Sequence, residues 1–91
     1  MAKHLNIKRY QKILNNIILK QFTIEIKNHA FIKAIQRNID PDVIEAIIYC
    51  GKIKKFGKNY IKFIKKYKKF DVICVAQIQG QTIKILTIEK R

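Results

Sequence analysis

The sequence predicts an α+β domain, with N-terminal helices packed on one face of a small antiparallel sheet. Three observations predict it. Apolar residues recur at helical spacing through the first half, where Asn28 and Asp40-Pro41 punctuate two helix starts. The second half alternates apolar and polar residues with period two around a Gln79-Gly80 turn. The length of 91 residues allows a single domain with one thin core. Such a chain buries about 60–65 % of the surface its unfolded form exposes.

The elements follow in order. Residues 5–20 read as an amphipathic helix, with Tyr10, Ile13, Leu14, Ile17 and Ile18 on its apolar stripe. Phe22-Thr23-Ile24-Glu25-Ile26 alternates and is rich in β-branched residues, so it reads as a short strand. Asn28 is placed to cap a helix over His29 to Arg37, with Ala30, Ala34 and Ile35 turned inward. Asn38 suits the left-handed residue that ends such a helix. Asp40 then caps the next one, and Pro41 fits its first position. This helix runs to Cys50, buries Val43, Ile44, Ile47 and Ile48, and stops at Gly51.

Residues 59–67 are ambiguous: Tyr60, Ile61, Phe63, Ile64 and Tyr67 fit a helix template, while the aromatic and β-branched content fits a strand. The hairpin that follows, 72–76 with 82–88, needs a third strand to be stable, and this favours the strand. Lys52 to Phe56 reads as a further short strand, with a turn at Gly57-Lys58.

Charge is the dominant compositional feature. Twenty Lys and Arg against six Asp and Glu give a formal net charge of +14. A polyanion is the natural partner of such a chain. The asymmetry peaks between Gly51 and Phe70, which hold nine lysines and no acid. Lys52, Lys54, Lys55, Lys58, Lys62, Lys65, Lys66, Lys68 and Lys69, with Tyr60 and Tyr67 interleaved, are the expected nucleic-acid contacts. The plain alternative is a solvated surface, but so dense a charge of one sign destabilises a compact state by self-repulsion.

His29, Lys33 and Arg37 stand four residues apart, hence on one face of a helix. A phosphate would draw three such groups together. Each also has a bland reading: His29 as a residue at the strand–helix junction, Lys33 on a solvated face, Arg37 as a cation suited to a helix C-terminus. Cys50 and Cys74 lack the spacing of a disulfide framework or a zinc site and read as reduced, buried thiols. No acid pairs with a histidine at ligand spacing, so neither metal nor cofactor is expected. No apolar run is long enough for a membrane span or a secretion signal, and a cytoplasmic protein is expected.

The stretch from Phe22 to Thr87 resembles a family of small proteins catalogued as a domain of unknown function and related to the BrnT and RelE/ParE toxins. The resemblance rests on His29-Ala30, Lys33, Arg37, Asn38-Ile39, Ala46, Gly51 and the strands 72–75 and 83–87. Asn38 stands where the family has Gly, and Lys33 where Arg is commoner; a lysine lacks the bidentate fork of arginine. Residues 1–21 lie outside the resemblance and form an added helix.

The resemblance implies a RelE-like fold and an RNA-binding protein, either a metal-independent endoribonuclease or an inactive relative. Such cleavage needs a base for the 2′-hydroxyl, cations for the phosphorane charge and an acid for the leaving 5′-oxygen. His29 would act as base or acid, since histidine titrates near neutrality. Lys33 and Arg37 would supply the cations. An acidic antitoxin would be a partner, and residues 5–20 offer a surface for it or for a homodimer. Two rival readings stand beside this one. In the first, residues 52–69 form a basic ribbon that binds DNA without sequence preference. In the second, an acidic protein partner neutralises the lysines.

Overall fold

A computed structural model describes residues 15–91. Five strands, β1 (Thr23–Ile26), β2 (Lys52–Phe56), β3 (Tyr60–Lys66), β4 (Asp71–Gln79) and β5 (Thr82–Lys90), form one sheet in the order β1-β5-β4-β3-β2. Two helices, α1 (Asn28–Gln36) and α2 (Pro41–Cys50), lie between β1 and β2 in the chain. Residues 15–19 are also helical. The rest of the helix expected over 5–20, with Tyr10, Ile13 and Leu14, falls outside the described residues.

The fold class is the α+β one expected, but the sheet is mixed rather than antiparallel. β1 runs parallel to β5, pairing Thr23 with Thr82 through to Ile26 with Ile85. Parallel neighbours need a long crossover, and residues 27–81 provide it. Alternation in the sequence marks β1 as a strand but carries no information about its partner. The ambiguous stretch 59–67 is a strand, β3, antiparallel to both β2 and β4. Gly80 has φ 59° and opens the two-residue turn of the β4–β5 hairpin, the pattern of a II′ turn.

One set of buried residues makes the core. It joins Ala34, Ile44, Ile47 and Ile48 of the helices to Ile61 and Phe63 of β3, Val72, Cys74 and Ala76 of β4, and Ile83, Ile85 and Ile88 of β5. α1 neighbours β5, and α2 neighbours β3 and β4. Phe63 is wholly buried, whereas Phe70 is half-buried against the core.

Four local expectations are corrected. Lys27, not Asn28, is the N-cap of α1, and its carbonyl accepts the first helical bond from Phe31 N–H at 3.0 Å. Ile35 is 44 % exposed, because Ala30 and Ala34 alone make the buried stripe of α1. Ile17 and Ile18 are exposed, and Asn15 and Leu19, four apart, face inward instead. Asn15 earns that place by bonding: its amide nitrogen donates to the carbonyls of Ile48 at 2.9 Å and Gly51 at 2.8 Å, ending α2. Of the two thiols, Cys74 is buried and Cys50 only half-buried; both are free.

The end of α1 matches expectation. Asn38 has φ 61°, with Asn38 N–H donating to Ile35 O at 3.0 Å and Ile39 N–H to Ala34 O at 2.9 Å. This is a Schellman motif, and Ile39 is buried beside it.

Candidate functional site

Two regions gather the residues expected to act. The first is a shallow recess of about 80 Å³ lined by His29, Ala30, Lys33 and Arg37 from α1 and by Leu86, Thr87, Ile88 and Glu89 from β5. The helical spacing therefore does bring His29, Lys33 and Arg37 to one place. The reason lies in the sheet. β1 covers β5 only as far as Ile85, so beyond it the edge of β5 is open to α1. Lys27 N–H donates to Ile85 O at 3.2 Å, and Arg37 Nη1 donates to Ile88 O at 2.8 Å. Arg37 thus satisfies an edge carbonyl that no strand reaches. Part of its guanidinium is committed to structure, while the residue as a whole stays exposed.

The same stretch of β5 carries a bulge. Val75 pairs with Thr87 and Ala76 with Ile85, which leaves Leu86 as an extra residue. The bulge shifts the buried set from Ile83 and Ile85 to Ile88. Thr87 Oγ1 is buried and has no hydrogen-bond partner among the described residues. Thr87 and Glu89 were not among the expected site residues. Their only signal in the sequence was proximity to the end of the last strand. His29 and Lys33 are exposed. Among the described residues no group of three His, Cys, Asp or Glu could hold a metal ion.

The second region is the β2–β3 hairpin. Strand alternation divides its lysines between two faces. Ile53, Ile61 and Phe63 turn toward the core, so Lys52, Lys54, Lys62 and Lys66 turn to the outer face. Lys84 of β5, paired with Gln77, joins them there. Lys55 and Lys65 have the core-side parity but sit at the rim, paired with Ile61 and Val72. Lys58 lies in the β2–β3 turn, and Lys68 and Lys69 in the β3–β4 connection, all exposed.

Little of the charge there is neutralised: Lys66 has Asp71 opposite it across β3 and β4, without an ion-pair contact among the described residues. The carboxylate pairs among the described residues are Lys27–Glu25 at 3.8 Å and Arg91–Glu89 at 3.1 Å. None of the nine lysines between residues 52 and 69 belongs to one. Lys54 and Lys62 even face each other directly across β2 and β3, and like charges so placed are destabilising.

The two tyrosines expected here part company. Tyr60 is exposed on the outer face, opposite Phe56, with ring centroids 5.6 Å apart. Tyr67 packs against the core and stacks on Phe70 at 5.1 Å. Burial, with a lesser contribution from Cys50, pushes the Tyr67 phenol above its usual pKa. It is a packing residue: it follows the last residue of β3, Lys66, with the same core-side parity as Ile61 and Phe63. Phe56 is the aromatic that the outer face does present, and Lys62 Nζ lies 5.0 Å from its ring centroid. Its signal was its place at the end of an edge strand, where the core cannot reach.

No helix among the described residues is long and apolar enough to cross a membrane. Compared with known proteins, this chain matches no family model, no curated protein and no solved structure.

Proposed function

We propose that this chain is a small RNA-binding protein of the RelE/BrnT kind, acting in the cytoplasm and holding the sugar–phosphate backbone with the β2–β3 hairpin. The observation that carries the reading is the set of nine lysines in residues 52–69, none of them in an ion pair among the described residues. Self-repulsion of that density is relieved when phosphates replace the missing acids. An acidic antitoxin that covers the hairpin would compete with RNA for it.

Binding should be strongly salt-dependent, since each phosphate neutralised releases counterions. The test is a filter-binding titration with RNA and with duplex DNA over a range of salt. Lys62→Ala combined with Lys66→Ala should weaken binding and flatten the salt slope by about one unit per lost phosphate contact. Failure to bind either polymer in dilute buffer overturns the reading, and tighter binding to duplex DNA moves it to the basic-ribbon alternative.

The recess on α1 favours a second activity, cleavage of the bound RNA without a metal. His29 and Glu89 supply a base and an acid, and Lys33 and Arg37 supply cations for the phosphorane charge. Of His29 and Glu89, one would take the 2′-hydroxyl proton as the P–O2′ bond forms, and the other would give a proton to the 5′-oxygen as the P–O5′ bond breaks, leaving a 2′,3′-cyclic phosphate. Labelled RNA should be cut by the wild type, with or without ribosomes, and cut slowly or not at all by His29→Ala and Lys33→Ala. These two residues are the clean probes, because Arg37 also holds Ile88 O. RNA left intact by the wild type ends the nuclease reading.

A further inference from the structure

We propose that the outer face of the sheet binds single-stranded RNA, with bases stacked on Phe56 and Tyr60 and a phosphate held between Lys54 and Lys62. The inference rests on the RNA-binding reading above and adds the form of the RNA and its mode of contact.

Phe56 and Tyr60 are 37 % and 36 % exposed, and they occupy the last rung of the β2–β3 hairpin. Their rings are inclined at 32° to each other. Cross-strand aromatic packing explains why the two rings touch. It does not explain the rung beside them, where Lys54 opposes Lys62. In the free protein the Lys62 ammonium lies over the Phe56 ring; an anion between Lys54 and Lys62 would draw it off the ring and offset the repulsion of the like charges. Two residues of strand separate the rungs, about 7 Å, within the reach of one nucleotide from phosphate to base.

The ring rung continues across the sheet into polar groups. Gln77 pairs with Tyr60 and its Nε2 lies 3.5 Å from the Tyr60 hydroxyl, while Gln79 Nε2 donates to Gln77 Oε1 at 3.2 Å. These exposed amides offer donors and acceptors to base edges and to a 2′-hydroxyl. A duplex keeps its bases stacked on one another and cannot use the rings. A single strand can, and stacking on an aromatic side chain tolerates any base.

The test measures fluorescence anisotropy of a labelled 12-nucleotide RNA, its duplex, and single-stranded DNA of the same sequence. The wild type should prefer the single-stranded RNA to both. Phe56→Ala and Tyr60→Ala should each lower the ratio of single-strand to duplex affinity by about tenfold. Phe56→Tyr and Tyr60→Phe, which keep a ring, should retain the preference, and far-UV circular dichroism checks that every variant is folded. Lys54→Gln with Lys62→Gln should weaken binding and reduce its salt dependence. If the alanine variants keep the wild-type ratio while the lysine variant loses affinity, the stacking inference is overturned and RNA binding stands. Equal or tighter binding of the duplex or of the DNA overturns it as well. No binding by the wild type overturns both readings.

Discussion

At the scale of single residues, the positions with the least freedom are ones whose chemistry is local but whose neighbours are distant. Gly51 has an extended backbone, φ −76°, so it does not need glycine for a left-handed turn. It needs glycine for space: an added Cβ would lie 2.3 Å from Ile47 O and 3.1 Å from Ile64 O. Both contacts are backbone atoms, which cannot swing away. Gly51→Ala should therefore cost about 3 kcal/mol in urea denaturation, and a loss below about 0.5 kcal/mol would contradict the close approach. Asn38→Ala should cost about 1 kcal/mol by the same measurement, since only the left-handed conformation is lost, and Asn38→Gly should cost nothing. Cys74 sets an alkaline limit. Burial pushes its thiol up from 9.0 to about 12. The unfolded thiol ionises first, so its contribution is complete below about pH 9 and is lost as the pH rises toward 12. Cys74→Ala should be less stable than the wild type at pH 7 yet lose less on passing from pH 8 to pH 11. Parallel declines of the two proteins would show that other groups set the limit.

At the scale of elements, β2 gives its lysines a second task besides the proposed RNA contact. It is an edge strand, and three of its five residues, Lys52, Lys54 and Lys55, are lysines. Edge lysines hinder pairing with a second sheet. Lys55 has the core-side parity, away from the rings, which suits it to guarding the edge. Replacing Lys55 by Thr should leave RNA affinity within about twofold, while replacing Lys52, Lys54 and Lys55 together should promote association visible by light scattering. A monomeric triple variant would remove the edge argument. The other edge is managed differently: β1 and then α1 cover β5, with Arg37 bonded to Ile88 O. The α1 helix thus serves two purposes, closing an edge and presenting His29 and Lys33 over it.

At the scale of the whole molecule, a net charge of +14 on 91 residues opposes the compact state. Exposed charges farther apart than about 10 Å are screened at 0.1 M salt. The melting temperature should rise between 20 mM and 300 mM sodium chloride, and rise further with inorganic polyphosphate; a fall with salt would mean that attractive pairs outweigh repulsion. Much of this architecture was legible in residue order alone. The left-handed helix end at Asn38, Pro41 at a helix start, the turn near Gly80 and the period-two strands all depend on neighbours within a few positions, and such chemistry is written locally. The shared recess of His29, Lys33 and Arg37 was legible for the same reason, as a helix repeats over so short a span. Folding in three dimensions decided what depends on distant partners. It placed β1 parallel to β5, packed Tyr67 against the core while leaving Phe56 outside, turned Asn15 inward in place of Ile17, and set Lys54 against Lys62. Each of these follows from cross-strand register or from long-range burial, and one residue's slip in register would reverse the face of every side chain on the strand.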